Sequence, residues 1–424
     1  MNPAVSAKQE YQTIIGNLFR REAGKITSVL TKIFGVQNIE LVEDVVQDTL
    51  LKALQQWPYT GIPENPAAWL YQSSKNRAID LLRQSNLKEK YSSEISGIFK
   101  SEWSLSHSMS EFFSENEIKD GQLRMIFTCC HPDLPGEAQV ALALKHLCGF
   151  SVNEIARAFL TNGETIAKRL TRAKIKLNSG TIAFEIPTDK EAEKRLANVL
   201  STLYLLFNEG YNSSGNKLIR DELMREAIYL TGLITEHPVT AKPEVHALLS
   251  LMLFHAARTP ARLDEHGSIN LLEEQDRSLW DKMMIKQAVH HLELSAVGDK
   301  VSEYHLEAGI AHYYTLAESY DKTDWGKILN LYDVLYKRNP SYIIGLNRAV
   351  VISNLKGTEE GLNEIRKLPE KDRLNNYYLY HSVIGELYLK NNQPEEAKIN
   401  FTKALHLTES EAEKKLLNKK LKLI

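Results

Sequence analysis

The chain has 424 residues, 43% of them hydrophobic and 25% charged, with 21 Gly, 13 Pro and 3 Cys. That balance excludes a wholly disordered, collagen-like or mucin-like chain, and at roughly 100–200 residues per domain it allows two to four domains. The net charge of −2 excludes a polyelectrolyte that coats nucleic acid, so any such contact has to come from a local basic patch.

Three cysteines, Cys129, Cys130 and Cys148, make no disulfide framework and fit a reducing compartment. Met1 to Glu10 is polar and lacks the apolar core of a signal peptide. The longest apolar stretch, near Ala247–Ala257, is too short to cross a bilayer. These features predict a soluble, cytoplasmic protein. Helical periodicity runs along almost the whole chain, and the Asn162-Gly163 pair lies between two helical patterns rather than two strands. An all-α fold follows.

The first block spans residues 10–86. Val42, Val46, Leu50, Ala53 and Trp57 form one stripe of a helix, and Glu40, Asp44 and Asp48 form another. Like charges four residues apart cost a few tenths of a kcal/mol per pair in an isolated helix. The ridge is therefore slightly unfavourable unless something basic meets it; otherwise it is a solvated face. The helix is expected to stop at Trp57-Pro58, before a loop over Tyr59–Ala68. The next helix turns Leu70, Ala78, Ile79 and Leu82 inward. Trp69, Tyr71, Lys75, Arg77 and Arg83 put rings and cations beside the loop. Single-stranded bases are captured by such groups, through stacking and phosphate neutralisation; the plainer alternative is that Trp69 and Tyr71 are core residues.

Residues 87–120 read as a linker whose aromatics, Phe99, Trp103, Phe112 and Phe113, dock on a neighbour. A compact block covers 121–180. From Lys145 to Asn178 it carries seven Lys/Arg against two acids, the most basic patch of the chain. Ser151 and Glu154 form a capping box, and Ile155, Ala156 and Phe159 give a short helix its apolar face. Leu160 to Gly163 break that helix, with Gly163 expected at positive φ. A second helix begins near Glu164, with Ile166, Leu170, Ala173 and Leu177 inward and Thr165, Lys168, Arg169, Arg172 and Lys176 exposed. A tight turn and a basic second helix are what major-groove docking requires. The alternative is a helical hairpin with a solvated charged face.

Cys129-Cys130-His131 lacks metal-ligand spacing, and free cysteine is among the most buried residue types. No metal site and no cofactor are expected. His255 and His290-His291 read as ordinary helix residues. Residues 189–300 form a helical extension, and 301–424 carry a weak repeat. Gly385, Tyr388, Ala397, Phe401 and Ala404 have tetratricopeptide spacing with Pro394 in the turn, and Ala349, Ile352, Gly361 and Ile365 match the first four of them 36 residues earlier. A more degenerate pair covers Ile310 to Pro340. Stacked helix pairs commonly bind a protein or peptide on their concave side; the alternative is a plain helical domain without a ligand.

In order and spacing, three groups of residues resemble the two conserved regions of bacterial RNA polymerase sigma factors of the extracytoplasmic-function type. They are Glu43-Asp44-Val45-Val46-Gln47-Asp48-Thr49-Leu50, then Trp69-Leu70-Tyr71 with Asn76-Arg77-Ala78-Ile79-Asp80 and Arg83, and finally Glu154-Ile155-Ala156 with Thr165-Ile166-Ala167-Lys168-Arg169-Leu170 and Arg172-Ala173. The segment from Asp120 to Ser151 and the run from Leu203 to Ser214 resemble a subgroup with a long tetratricopeptide-like extension. The resemblance implies two sigma-type helical domains, the second with a helix-turn-helix, followed by that extension.

It further implies roles. Glu40, Asp44, Gln47 and Asp48 would meet the basic clamp of core RNA polymerase. The loop Tyr59–Ala68 with Trp69 and Tyr71 would capture a minus-10 base, while Lys75, Asn76, Arg77 and Arg83 hold the promoter DNA backbone. Thr165, Lys168, Arg169, Arg172 and Lys176 would read the minus-35 element. Many relatives are more basic around position 167, where this chain has Ala167. The cysteine segment would pack the DNA-reading block. No catalytic residue is implied, since the polymerase does the chemistry. Two other classes compete. One is a helix-turn-helix regulator with a tetratricopeptide sensor that does not join polymerase; the other is a repeat scaffold without DNA. The acidic helix followed by the Trp69–Arg83 motif argues against the first, and the basic patch against the second. An enzyme is least favoured, with no P-loop, dinucleotide or zinc motif.

Overall fold

The computed structural model describes residues 3–84, 109–159, 161–212, 218–369 and 374–424. These residues are all-α; the sole strand-like feature among them is an isolated antiparallel bridge between Leu263 and Ile269. The chain divides into two compact units. One comprises Met1–Leu206 with Glu236–Thr240, the other Phe207–Thr235 with Ala241–Ile424.

The first unit opens with α1 (Pro3–Phe34), α2 (Ile39–Thr60) and α3 (Pro66–Gln84). Their apolar stripes meet in a core of Ile26, Leu30, Ile33, Val42, Val45, Ala53, Leu70, Ala78 and Leu82. Fully burying an aliphatic side chain of this kind contributes about 1.5–3 kcal/mol. Ser28, Thr31 and Thr49 are also buried, each donating its hydroxyl to the carbonyl four residues back. Helix α2 does not stop at Trp57-Pro58 but runs one turn further. Pro58 removes only the bond to the carbonyl of Leu54, which lies on an exposed residue. The Gly61 N–H then closes the helix on the Trp57 carbonyl at 3.0 Å.

Four more helices follow: α4 (Glu115–Cys129), α5 (Gly136–His146), α6 (Val152–Ala158) and α7 (Gly163–Asn178). Helix α1 crosses them at very close range. A Cβ on Gly24 would lie 1.7 Å from the Leu147 carbonyl oxygen, and one on Gly149, which sits at φ +66°, would lie 2.5 Å from the Arg20 oxygen. Lys32 of α1 ties down α4, at 2.6 Å from Glu117 and 2.7 Å from Asp120. The front block and the helix-turn-helix block thus share one core. Most of the expected linker, including Phe99 and Trp103, lies outside the described residues.

Helix α8 (Asp189–Tyr211) ends in the second unit, which continues with α9 (Asp221–Glu236), α10 (Pro243–Ala257) and α11 (Lys282–Ser295). Helix α10 is apolar on all sides and buried along nearly its whole length. Ser250 on it donates to the Ala288 carbonyl of α11 at 2.7 Å. Three helix pairs come next: α12 (Glu303–Leu316) with α13 (Trp325–Arg338), α14 (Tyr342–Lys356) with α15 (Thr358–Arg366), and α16 (Tyr378–Lys390) with α17 (Pro394–Leu407). Helix α18 (Glu411–Leu421) ends the array. The repeat positions Ala349, Gly361, Ile365, Gly385, Ala397, Phe401 and Ala404 are all buried. Phe401 packs so closely that a Cβ on Gly385 would sit 2.7 Å from its ring.

Candidate polymerase and nucleic-acid interface

The outer face of α2 carries Glu40, Asp44, Gln47 and Asp48, all exposed. The helical period puts them there, because Val42, Val45, Val46 and Thr49 fill the opposite face. Asp48 reaches Arg77 of α3 at 2.8 Å. Glu43, one position from the ridge, turns inward and meets Lys174 of α7 at 2.6 Å. His146 stands 3.8 Å from the same carboxylate. Burial, helped by Lys174 and Lys145, pushes the pKa of His146 down to about 3, so the ring is neutral at pH 7. Glu43 Oε1 and His146 Nε2 have no hydrogen-bond partner among the described residues, and both residues line a cavity of about 100 Å³.

Beside the α2–α3 loop, Tyr59 is 91% exposed and Ile62 is also open to solvent. Trp69 is half-buried, with its ring 5.5 Å from that of Trp57 and Lys52 6.0 Å above it. Tyr71 turns inward: its hydroxyl donates to buried Glu22 at 2.5 Å and its ring packs on Phe113 at 5.7 Å. Lys75 donates to the Ser110 hydroxyl at 2.9 Å. Asn76 is exposed and accepts from Gln72, while Arg83 lies 3.6 Å from Asp80. Trp69 and the cations of α3 are therefore reachable next to an exposed loop, whereas half-buried Tyr71 has its hydroxyl engaged by Glu22.

The hairpin of α6 and α7 is built from local signals. Ser151 and Glu154 make the capping box in both directions, the Ser151 N–H donating to the carboxylate at 2.9 Å and the Glu154 N–H to the hydroxyl at 3.3 Å. Gly163 does not take positive φ as the sequence led us to expect; it is the first residue of α7. The turn is held instead by Asn162, whose side-chain oxygen accepts the Thr165 N–H at 2.8 Å. A Cβ at 163 would press on Asn153 Oδ1 at 2.9 Å, so the glycine serves a close approach.

Ile166, Leu170, Ala173 and Leu177 bury one face of α7. On the other face Lys168 and Arg172 are exposed and Thr165 is half-exposed. Lys168 pairs along the helix with Glu164, Arg169 bends back to Glu137 at 2.6 Å, and Lys176 lies 3.6 Å from Asp133. Arg172 has no ion pair among the described residues. The Glu43–Lys174 pair links residues 131 apart, and no local spacing signals it.

Burial raises the thiol pKa of Cys129 and pushes that of Cys130 up to about 12, although the Thr202 hydroxyl, by hydrogen bonding to the Cys130 sulfur, works in the opposite direction. These thiols are interior groups. No helix among the described residues is long and apolar enough to cross a membrane.

Comparison with known proteins agrees with this geometry. Residues 18–87, which hold the acidic ridge and the Trp69–Arg83 helix, match the model of sigma-70 region 2. The front block is thus similar to region 2 of the sigma-70 proteins. Sigma-70 proteins act in transcription initiation, with core RNA polymerase at promoters. Residues 195–296 match a family of unknown function (DUF6596). An uncharacterized protein, R00370 of Rhizobium meliloti (strain 1021), is 35% identical over 380 residues, which is 89% of this chain and 88% of that protein. No solved structure matches.

Proposed function

We propose that this chain is a sigma-70 family sigma factor of the extracytoplasmic-function type, whose helical extension regulates promoter use. The observation that carries the reading is the coincidence of the region 2 match with an acidic ridge turned outward on α2. Glu40, Asp44, Gln47 and Asp48 engage the basic clamp of core polymerase. Trp69, beside the exposed 61–65 loop, receives an extruded minus-10 base, and Lys75, Asn76, Arg77 and Arg83 steady the strand. Helix α7 reads the minus-35 element with Thr165, Lys168, Arg169, Arg172 and Lys176. Energy from binding unpaired bases offsets an unstacking cost of a few kcal/mol. The three helix pairs form the tetratricopeptide-like part of the extension.

The closed pairing of Glu43 with Lys174 favours one addition. Promoter binding competes with this contact, because it ties the polymerase-facing helix to the DNA-reading helix.

The test is transcription with core polymerase on a promoter library. The sigma reading expects initiation at a defined two-part sequence. A protein that binds DNA yet never starts transcription with core enzyme would instead be a regulator acting outside polymerase. Asp44→Ala should reduce association with core enzyme without changing the fold, and normal association would remove that role from the ridge.

A further inference from the structure

The second unit carries a half-open cavity of about 520 Å³, within the roughly 300–1,000 Å³ typical of small-molecule sites. Helices α12, α14 and α16 contribute one wall and α18 another. The segment 262–274 closes over them: Glu273 pairs with Lys390 at 3.0 Å, the His266 carbonyl accepts from Lys415 at 2.6 Å, and Glu274 lies 3.9 Å from Lys419. These ties bound the space at three points. A cavity of this volume suits a compact ligand.

The charge facing the cavity decides the ligand class. Its carboxylates have their own donors. Glu273 has Lys390, Glu386 has Lys420 at 3.1 Å, and Glu413 accepts the hydroxyls of Tyr378 and Thr408. Arg262 is different. It is nine-tenths buried, lies 3.8 Å over the Tyr211 ring and donates to the Tyr211 carbonyl. No carboxylate pairs with it among the described residues.

Two more arginines of this unit, Arg258, which is buried, and Arg277, which is partly buried, also have no carboxylate pair among the described residues. Arg258 meets the His255 ring at 2.9 Å, and Arg277 donates to the carbonyls of Tyr314 and Ala317 at 3.1 and 2.8 Å. Arg258 Nε and Arg277 Nη2 are buried with no hydrogen-bond partner among the described residues. The local field is positive. Burial alone would raise the pKa of the Tyr211 hydroxyl, yet Arg258 and Arg262 bring it below its usual value. Taking uncompensated cations out of water is costly unless an opposite charge joins them.

We infer that this cavity is a binding site for a small organic acid, its carboxylate on Arg262 and its apolar body against the Trp325, Leu271 and Val383 side of the wall. Rings supply much of that wall: Trp325 lies edge-on to Tyr314 at 5.7 Å and to Tyr320 at 5.0 Å. The guanidinium can give a carboxylate a planar pair of donors, and the aromatic edges favour a flat or branched apolar body.

The inference does not depend on the transcriptional role, and its test needs no polymerase. The full-length chain is titrated by calorimetry with a short series of arylalkanoates, such as indole-3-propionate and 3-phenylpropionate. Each acid is compared with its neutral amide, and inorganic phosphate is included as an anion without an apolar body. Saturable binding of an acid is expected, at least about tenfold weaker for its amide, with no comparable binding of phosphate. Arg262→Met should erase the preference for acid over amide. Val383→Trp, which fills the cavity, should abolish binding of both. Equal affinity for acid and amide, an unchanged preference in Arg262→Met, or no saturable binding by any acid of the series would overturn the assignment. If Arg262→Met does not fold, the acid–amide comparison on the unaltered chain and the Val383→Trp variant still decide it.

Discussion

On helix α7, Lys168, Arg169, Lys174 and Lys176 each sit beside a carboxylate, and all but Lys174 do so at or near the surface. In the second unit Arg258, Arg262 and Arg277 lie among rings, an imidazole and main-chain carbonyls, with no carboxylate pair among the described residues. Exposed ion pairs contribute about 0–1 kcal/mol. The α7 cations can therefore leave their partners and take up phosphates at little cost. Arg258 and Arg262 are buried and held in fixed positions, which suits one shaped anion rather than a polymer. The same residue type thus serves a renewable surface in one region and a preformed pocket in the other.

Five changes break or sharpen this contrast. The largest effect is expected from a control for packing alone, Gly24→Ala. Its new Cβ meets main-chain atoms of Leu147 that cannot swing aside, so denaturant unfolding should show a loss of about 3 kcal/mol or more. A loss under about 1 kcal/mol would mean that α1 can shift freely against the helix-turn-helix block. Arg277→Ala comes next. It removes a ring contact to Trp280 at 4.5 Å and leaves two carbonyls without their donor. It should cost about 2–4 kcal/mol, and a change as small as that of a surface cation would end the contrast.

The third is a pH effect in the first unit. His146 is held neutral because burial lowers its folded pKa from 6.5 to about 3. The unfolded chain therefore binds the proton first. The neutral ring's contribution is fully present above the unfolded value and is lost as pH falls below it, at up to about 1.4 kcal/mol per pH unit. His146→Gln should flatten unfolding free energy between pH 6.5 and 5, before most carboxylates titrate; an identical slope in both proteins would mean that the ring is not held neutral. The smallest effect on stability is expected for Arg172→Ala, within about 0.5 kcal/mol. Yet it should weaken promoter binding by about 1–3 kcal/mol if the lost contact is to a base. Arg169→Ala should act similarly on DNA, and unchanged binding in both would remove α7 as the reading helix.

Much of the candidate site was legible because its signals are local. The ridge of Glu40, Asp44 and Asp48 follows from the helical period, as does the buried face of Ile166, Leu170, Ala173 and Leu177. The Ser151–Glu154 box follows from a three-residue spacing. The errors were local too, in places where neighbours overrule the usual habit of a residue. Pro58 stays helical because the carbonyl it orphans is on an exposed residue. Gly163 begins α7 close to the Asn153 side chain, and Asn162 takes over the turn.

By itself, then, the amino-acid order determined the helices, which faces of them are apolar, and the residues that match sigma-70 region 2. Only the tertiary structure decided that Tyr71 turns to Glu22, that Lys174 closes on Glu43, and that Arg262 faces a cavity without pairing with a carboxylate among the described residues. Helical periodicity is a property of neighbours three or four positions apart, whereas these contacts join segments tens of residues distant. Their partners are chosen by how whole helices pack.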